Sequence, residues 1–119
     1  MDDRITEPAL DLFGELLVTQ VREKAIMDWA KILDGRMKGE TADRLRPAIA
    51  ILGANQLALL AMLIPEIVDT TLHHLLRTVD QGSLEVAVKS SSGSSQNLQT
   101  LTDGLAGELH DWVARYGKQ

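Results

Sequence analysis

The chain has 119 residues, 17 acidic and 12 basic, a formal net charge of -5 and no cysteine. That length suits one domain with a single core over residues 1–119, and the missing cysteine excludes a disulfide framework, a thiolate metal site and a cysteine nucleophile while fitting a reducing cytosol. The twelve cations are scattered among the acids, which argues against a nucleic-acid partner and for a basic or amphipathic one.

The opening Met1-Asp2-Asp3-Arg4 lacks the basic and apolar segments of a signal peptide, so no export is expected and the location is read as cytoplasmic. From Pro8 to about Leu33 the residues Leu12, Leu16, Leu17, Val21, Ala25, Trp29 and Ile32 recur every three or four positions. This spacing predicts one apolar face of an α-helix. Thr6 is placed to cap it and Pro8 to open it. Gly14 weakens the first turns by about 1 kcal/mol relative to alanine, so a bend or fray is expected there. Asp34-Gly35 ends the helix, because glycine suits the left-handed stop position.

After the connector Arg36-Met37-Lys38-Gly39, Thr41 is a candidate cap for a second helix reaching roughly Leu52, with Pro47 expected to distort or divide it. Asn55 is a candidate cap for a third helix running to about Asp80, kinked at Pro65 and ended by Gln81-Gly82. Within it, Leu57–Val68 is apolar except for Pro65 and Glu66. A segment so apolar is expected to be the buried centre of the fold. It falls short of the roughly 20 residues that cross a bilayer, and Asp69, His73, His74 and Arg77 follow, so no membrane span is expected.

Beyond Gly82 the period changes. Leu84, Val86 and Val88 alternate with Glu85, Ala87 and Lys89, which predicts a strand. The serine-rich tip Ser90–Ser95 turns it back through Asn97–Thr100, although a helical turn over Leu98–Thr102 stays open as an alternative. Asp103-Gly104 introduces a last helix, about Leu105 to Tyr116, burying Leu105, Leu109, Trp112 and Val113. The expected fold is mainly α: a compact bundle of about four helices with a small β-hairpin near the C-terminus.

Candidate chemistry is sparse, and no residue is assigned a catalytic role. Glu66, Asp69 and His73 share one helix face at i, i+3 and i+7, a donor set that suits zinc, manganese or iron. The same spacing describes the solvated stripe of an apolar helix, with Arg77 extending it. His73 and His74 are adjacent and project about 100° apart, so one is expected to pack inward. Asp34, Lys38, His73, His74, Asp103 and Glu108 form a second candidate set, a polar ligand site if the fold brings their three segments together. The cofactor, if any, is left unknown.

Three segments, Leu33-Asp34-Gly35-Arg36-Met37-Lys38-Gly39, Thr71-Leu72-His73-His74-Leu75-Leu76 and Asp103-Gly104-Leu105-Ala106-Gly107-Glu108-Leu109, followed by Trp112 and Tyr116, together resemble an uncharacterised family of small bacterial proteins of about this length. The resemblance implies a standalone bacterial domain and brings no reaction, cofactor or catalytic residue with it. The chain departs from that family in having Arg77 where an aromatic residue is frequent, and in its Ser90–Ser95 tip. The expected function is a non-enzymatic protein-interaction module of immunity, adaptor or accessory type, with a protein partner or self-association. The alternative is a small ligand- or metal-binding protein or enzyme built around the central-helix histidines.

Overall fold

The computed structural model describes residues 8–89, 93 and 95–118. The expected cap Thr6, the segment Met1–Arg4 and the tip residues Ser90, Ser91, Ser92 and Ser94 lie outside the described residues. Among the described residues the fold is mainly helical, with four helical rods and one two-stranded hairpin near the C-terminus.

The first rod joins three pieces end to end: α1 (Pro8–Leu16), a π-helical turn (Leu17–Arg22) and α2 (Glu23–Leu33). Its inward stripe is Leu10, Gly14, Leu17, Val18, Arg22 and Ile26, whereas Leu12, Leu16, Val21 and Trp29 of the expected stripe are exposed. The true stripe contains a glycine and an arginine, which a hydrophobicity pattern passes over. The π-helical turn also widens the residue count per turn and slides the register along the rod.

Gly14 is buried in an unbroken helix and does not fray. A β-carbon at this position would stand 2.4 Å from Cε2 of Trp112. Glycine therefore lets α1 lie directly on the indole, and Phe13 meets the same ring edge-on with centroids 5.7 Å apart.

α2 stops where Gly35 takes φ +83°, the left-handed position that glycine adopts without strain. Helix α3 (Glu40–Ala50) follows Gly39 and continues through Pro47 undivided. Helix α4 (Ala54–Asp80) is 27 residues long and runs through Pro65. Its N-cap is Gly53 and not Asn55, and Gln56 Oε1 accepts the Gly53 N–H at 2.8 Å.

Strands β1 (Ala87–Lys89) and β2 (Ser95–Asn97) pair antiparallel, with Val88 opposite Gln96. A 3₁₀ turn at Leu98–Thr100 follows, so the two readings of this segment each hold for part of it. Asn97 Oδ1 accepts the Gln99 N–H at 3.1 Å, and the Gln99 side-chain amide donates to the Val79 carbonyl. Helix α5 (Leu105–Tyr116) then begins under a cap supplied from a distance. Asp80, the last residue of α4, accepts the Leu105 N–H at 2.7 Å and the Ala106 N–H at 3.0 Å. A carboxylate at a helix N-terminus satisfies two orphan donors and complements the dipole.

The core gathers Leu10, Leu17 and Val18 of the first rod, Leu72, Leu76 and Val79 of α4, Leu98, and Leu105, Leu109 and Trp112 of α5. The segment Leu57–Val68 is not its centre. Leu59, Met62, Leu63 and Ile67 are exposed, and the buried residues of α4 all lie beyond Val68. The reason is topological: α1, the π-helical turn, the hairpin and α5 assemble around the second half of α4, leaving α2 and α3 to flank the first half. The molecule is accordingly drawn out, with extents of 51 × 32 × 26 Å. Its radius of gyration is 17.3 Å, against about 13.5 Å for a compact domain of this length.

Candidate functional site

The polar candidates are dispersed along α4. Leu57 shares a surface cavity with Asp34, Gly35 and Met37, so the connector carrying Asp34 and Lys38 stands beside the start of α4. Asp103 and Glu108 belong to the other end, where Asp80 caps α5. From Leu57 to Asp80 the helix rises about 35 Å, with His73 roughly two-thirds of the way along. The six residues of the proposed polar set do not converge on one ligand.

Several have local partners. Asp34 binds Arg36 through Oδ2 at 2.7 Å, and this hydrogen bond holds its carboxyl below the ordinary range; both groups are exposed. Glu108 Oε1 accepts from the Thr102 hydroxyl at 3.1 Å. Lys38 and Asp103 are exposed. His73 is half-buried and His74 exposed, with their rings edge-to-face at 5.4 Å.

Asp69, read from the sequence as a metal ligand or part of a solvated stripe, has a different neighbour. Its Oδ1 lies 2.5 Å from Nε of Arg22 and its Oδ2 3.2 Å from Nη2, a bidentate pair across the rod and α4. Arg22 is 2 % exposed and also reaches Glu23 Oε2 at 2.6 Å. Glu23 Oε1 accepts the Lys118 N–H at 2.7 Å, which ties the end of the chain to the same cluster. Burial opposes the guanidinium charge, but the hydrogen bonds and charges of Asp69 and Glu23 outweigh it and hold Arg22 above its ordinary value. Glu66 is exposed, and among the described residues no group of three or more histidine, aspartate or glutamate side chains is arranged to hold a metal ion.

What the fold does build is an apolar cleft of about 400 Å³ between α2, α3 and the first half of α4. Trp29 and Leu33 line it from α2, Leu45, Ala48 and Ile49 from α3, and Leu52 from the turn that follows. Leu60, Leu63, Ile64, Ile67 and Val68 close it from α4. The exposed Leu59, Leu63 and Ile67 recur at i, i+4 and i+8, so they form one stripe along the cleft's edge. From Ala54 to Pro65 the helix carries no charged residue. A helix apolar on every side is ordinarily enclosed, either by protein or by lipid.

Leu57–Val68, expected from its apolarity to be core, forms this surface instead. A second cavity of about 460 Å³ at the end of the α2–α3 hairpin shares Leu33, Ile49 and Leu52 with the first and adds Asp34 and Arg46, so it is the more polar of the two. By length and composition α4 is long and apolar enough to cross a membrane, the one such helix among the described residues.

Comparison with protein-family models, with curated proteins and with solved structures returns no match to this chain.

Proposed function

We propose that this chain is a non-enzymatic, cytoplasmic protein-interaction module of immunity, adaptor or accessory type, acting through the cleft between α2, α3 and α4. The observation that carries this reading is a preformed groove lined by apolar side chains on a helix that its own fold leaves uncovered. Grooves of this form receive an amphipathic helix whose anchors repeat at i, i+3 and i+4. The Trp29 indole and the Leu63 and Ile67 side chains supply the kind of aromatic and aliphatic anchors that dominate interface energetics.

The alternative, a small-molecule site, has the cleft's volume in its favour, since ligand pockets run from about 300 Å³ upward. Such pockets carry a few polar groups that orient the ligand. Here the Trp29 N–H is the one side-chain donor among the lining residues.

The test is photo-crosslinking in a bacterial cytoplasm from a benzoylphenylalanine placed at Leu59, which is exposed beside the cleft. The expected result is an adduct of discrete mass with a protein, this chain included. Failure to form any protein adduct, with the label incorporated and the chain folded, would overturn the reading.

A further inference from the structure

We infer that α3 is a flap over the apolar cleft: it swings away from α2 and α4 on joints at Lys38 and at the Leu52-Gly53 link, while the rest of the fold stays closed. This goes beyond the interaction reading and does not depend on which partner the cleft receives. The helix is weak by construction. It has 11 residues, short of the roughly 12–15 that hold a helix together unaided in water. Pro47 lies inside it and has no N–H, so the Asp43 carbonyl lacks its helical donor four residues on. Gly39 at the N-cap brings no side chain to the orphan N–H groups of the first turn. Such a helix depends on packing.

The packing is thin. Ala42 is the one buried residue of α3, with Leu45 and Ile49 half-buried. Those two side chains look across the cleft of about 400 Å³ toward Leu60 and Ile64 of α4, so the faces that would clamp the helix are held apart. Among the described residues the one side-chain hydrogen bond that leaves α3 runs from Arg46 Nη2 to the Met37 carbonyl, at 3.3 Å and exposed. The ion pair of Arg46 with Asp43 lies within the helix and travels with it. Among the described residues the core draws nothing from α3, so the helix can leave without opening it.

The backbone bonds locate the joints. The Arg36 and Met37 N–H groups both donate to the Lys31 carbonyl, at 2.9 and 3.2 Å, and Asp34 pairs with Arg36, which fastens the connector to α2 as far as Met37. The Gly39 carbonyl accepts the Asp43 N–H at 2.9 Å, so Gly39 already belongs to α3 and Lys38 is the residue between. Gly39 takes φ +130° and ψ 174°, a region essentially confined to glycine. A β-carbon there would meet nothing within 4 Å, so the segment turns in open space. At the other end the Leu52 N–H donates to the Ile49 carbonyl at 3.0 Å, on the α3 side. Gly53 is fixed to α4, its carbonyl accepting the Leu57 N–H at 3.0 Å and its N–H donating to Gln56.

With α3 out, the cleft keeps two walls, Trp29 and Leu33 on α2 and Leu60 and Ile64 on α4. A groove closed on three sides becomes a trough that takes a longer or thicker occupant. Opening of this kind needs less free energy than unfolding the body, because it exposes far less surface.

Hydrogen exchange of the full-length protein, read residue by residue by NMR in rising urea, tests this. The amides of Leu45, Ala48 and Ile49 are expected to be protected, but at least about a hundredfold less than those of Leu72–Val79. Their urea dependence is expected to be weak, since little surface is exposed when α3 opens. Pro47→Ala, at an exposed position, restores the missing bond and is expected to raise that protection at least about tenfold and leave the body unchanged. Leu60→Cys reads the gate, the chain having no other cysteine. Its labelling by fluorescein maleimide, a rigid reagent that has to reach a half-buried position on the cleft wall, is expected to slow by the same factor when Pro47→Ala is added.

Exchange of α3 at the rate and urea slope of Leu72–Val79 means that it opens only with the whole fold and overturns the flap. Amides of α3 without any protection mean that it has no closed state and overturn the flap as well. A Leu60→Cys labelling rate indifferent to Pro47→Ala, with helicity intact by circular dichroism, means that α3 does not gate the cleft and overturns the inference. None of these results bears on the Leu59 photo-adduct, which succeeds or fails with the interaction reading alone.

Discussion

Gly14→Ala is expected to destabilise the fold even though alanine is the better helix former. The added methyl would stand 2.4 Å from Cε2 and Nε1 and 2.5 Å from Cδ1 of Trp112, where carbon contacts settle near 3.5–4.0 Å. Trp112 has no exposed surface and Phe13 abuts it edge-on, so the ring has no free direction in which to move by the necessary ångström or more. Overpacking of this kind costs about 1–3 kcal/mol and occasionally more, against a gain of about 1 kcal/mol from replacing a helical glycine. With three ring atoms within 2.5 Å the upper part of the overpacking range applies, so the net expectation is a loss of about 1–2 kcal/mol, or a melting temperature lower by roughly 4–8 °C for a domain of this size.

Urea denaturation followed by circular dichroism measures the loss. Repeating the substitution in a Trp112→Leu background separates the two contributions, because contacting residues couple and the cycle isolates their interaction. With the indole gone, Gly14→Ala is expected to be neutral or stabilising. A Gly14→Ala protein as stable as the parent, in the presence of Trp112, would refute the close approach of α1 and α5.

Three further outcomes are expected. Asp69→Ala takes the bidentate carboxylate away from the buried Arg22; the cost is about 2–3 kcal/mol, below that of a fully buried pair because the Asp69 side chain is 31 % exposed, and a denaturation midpoint equal to the parent's would contradict the pairing. Asp80→Ala removes the acceptor for the Leu105 and Ala106 N–H groups and is expected to cost about 1 kcal/mol, with amide exchange quickening first at those two residues; unchanged exchange there would count against the cap. Tyr116, the only tyrosine, is raised above 10 chiefly by burial, with Arg115 working in the opposite direction. Its folded state favours the neutral phenol, so this contribution to stability is full below pH 10 and lost as pH rises through the folded value. Absorbance titration at the phenolate band is expected to show a midpoint above that of the urea-unfolded chain, and one at or below it would contradict the burial.

Helix existence was legible wherever apolar residues and stop signals coincided, as at Gly35, Gly82 and the Leu105–Tyr116 segment. Facing was not, because the inward stripe of the first rod runs through Gly14 and Arg22, and both are intelligible only with Trp112 and Asp69 opposite them. The same holds for Asp80, whose role depends on a helix 25 residues further along. The Leu57–Val68 segment shows the other failure. Apolarity states that a surface must be covered and does not state by what, and here the chain's own core formed on the following turns of α4. The polar candidates failed to converge for a related reason: their segments are divided along a helix about 40 Å long.

The most direct test of a covered cleft is acrylamide quenching of tryptophan fluorescence in the unmodified protein and in Ile67→Glu. Trp112 has no exposed surface while Trp29 lines the cleft and is 38 % exposed, so the quencher reports chiefly on Trp29. Shielding of Trp29 in the parent, relieved several-fold in Ile67→Glu with helicity unchanged, is the result a cleft covered by self-association requires. Equal quenching in the two proteins at every concentration would mean that the cleft stands open in solution and that nothing, a second copy included, closes over it in the purified protein.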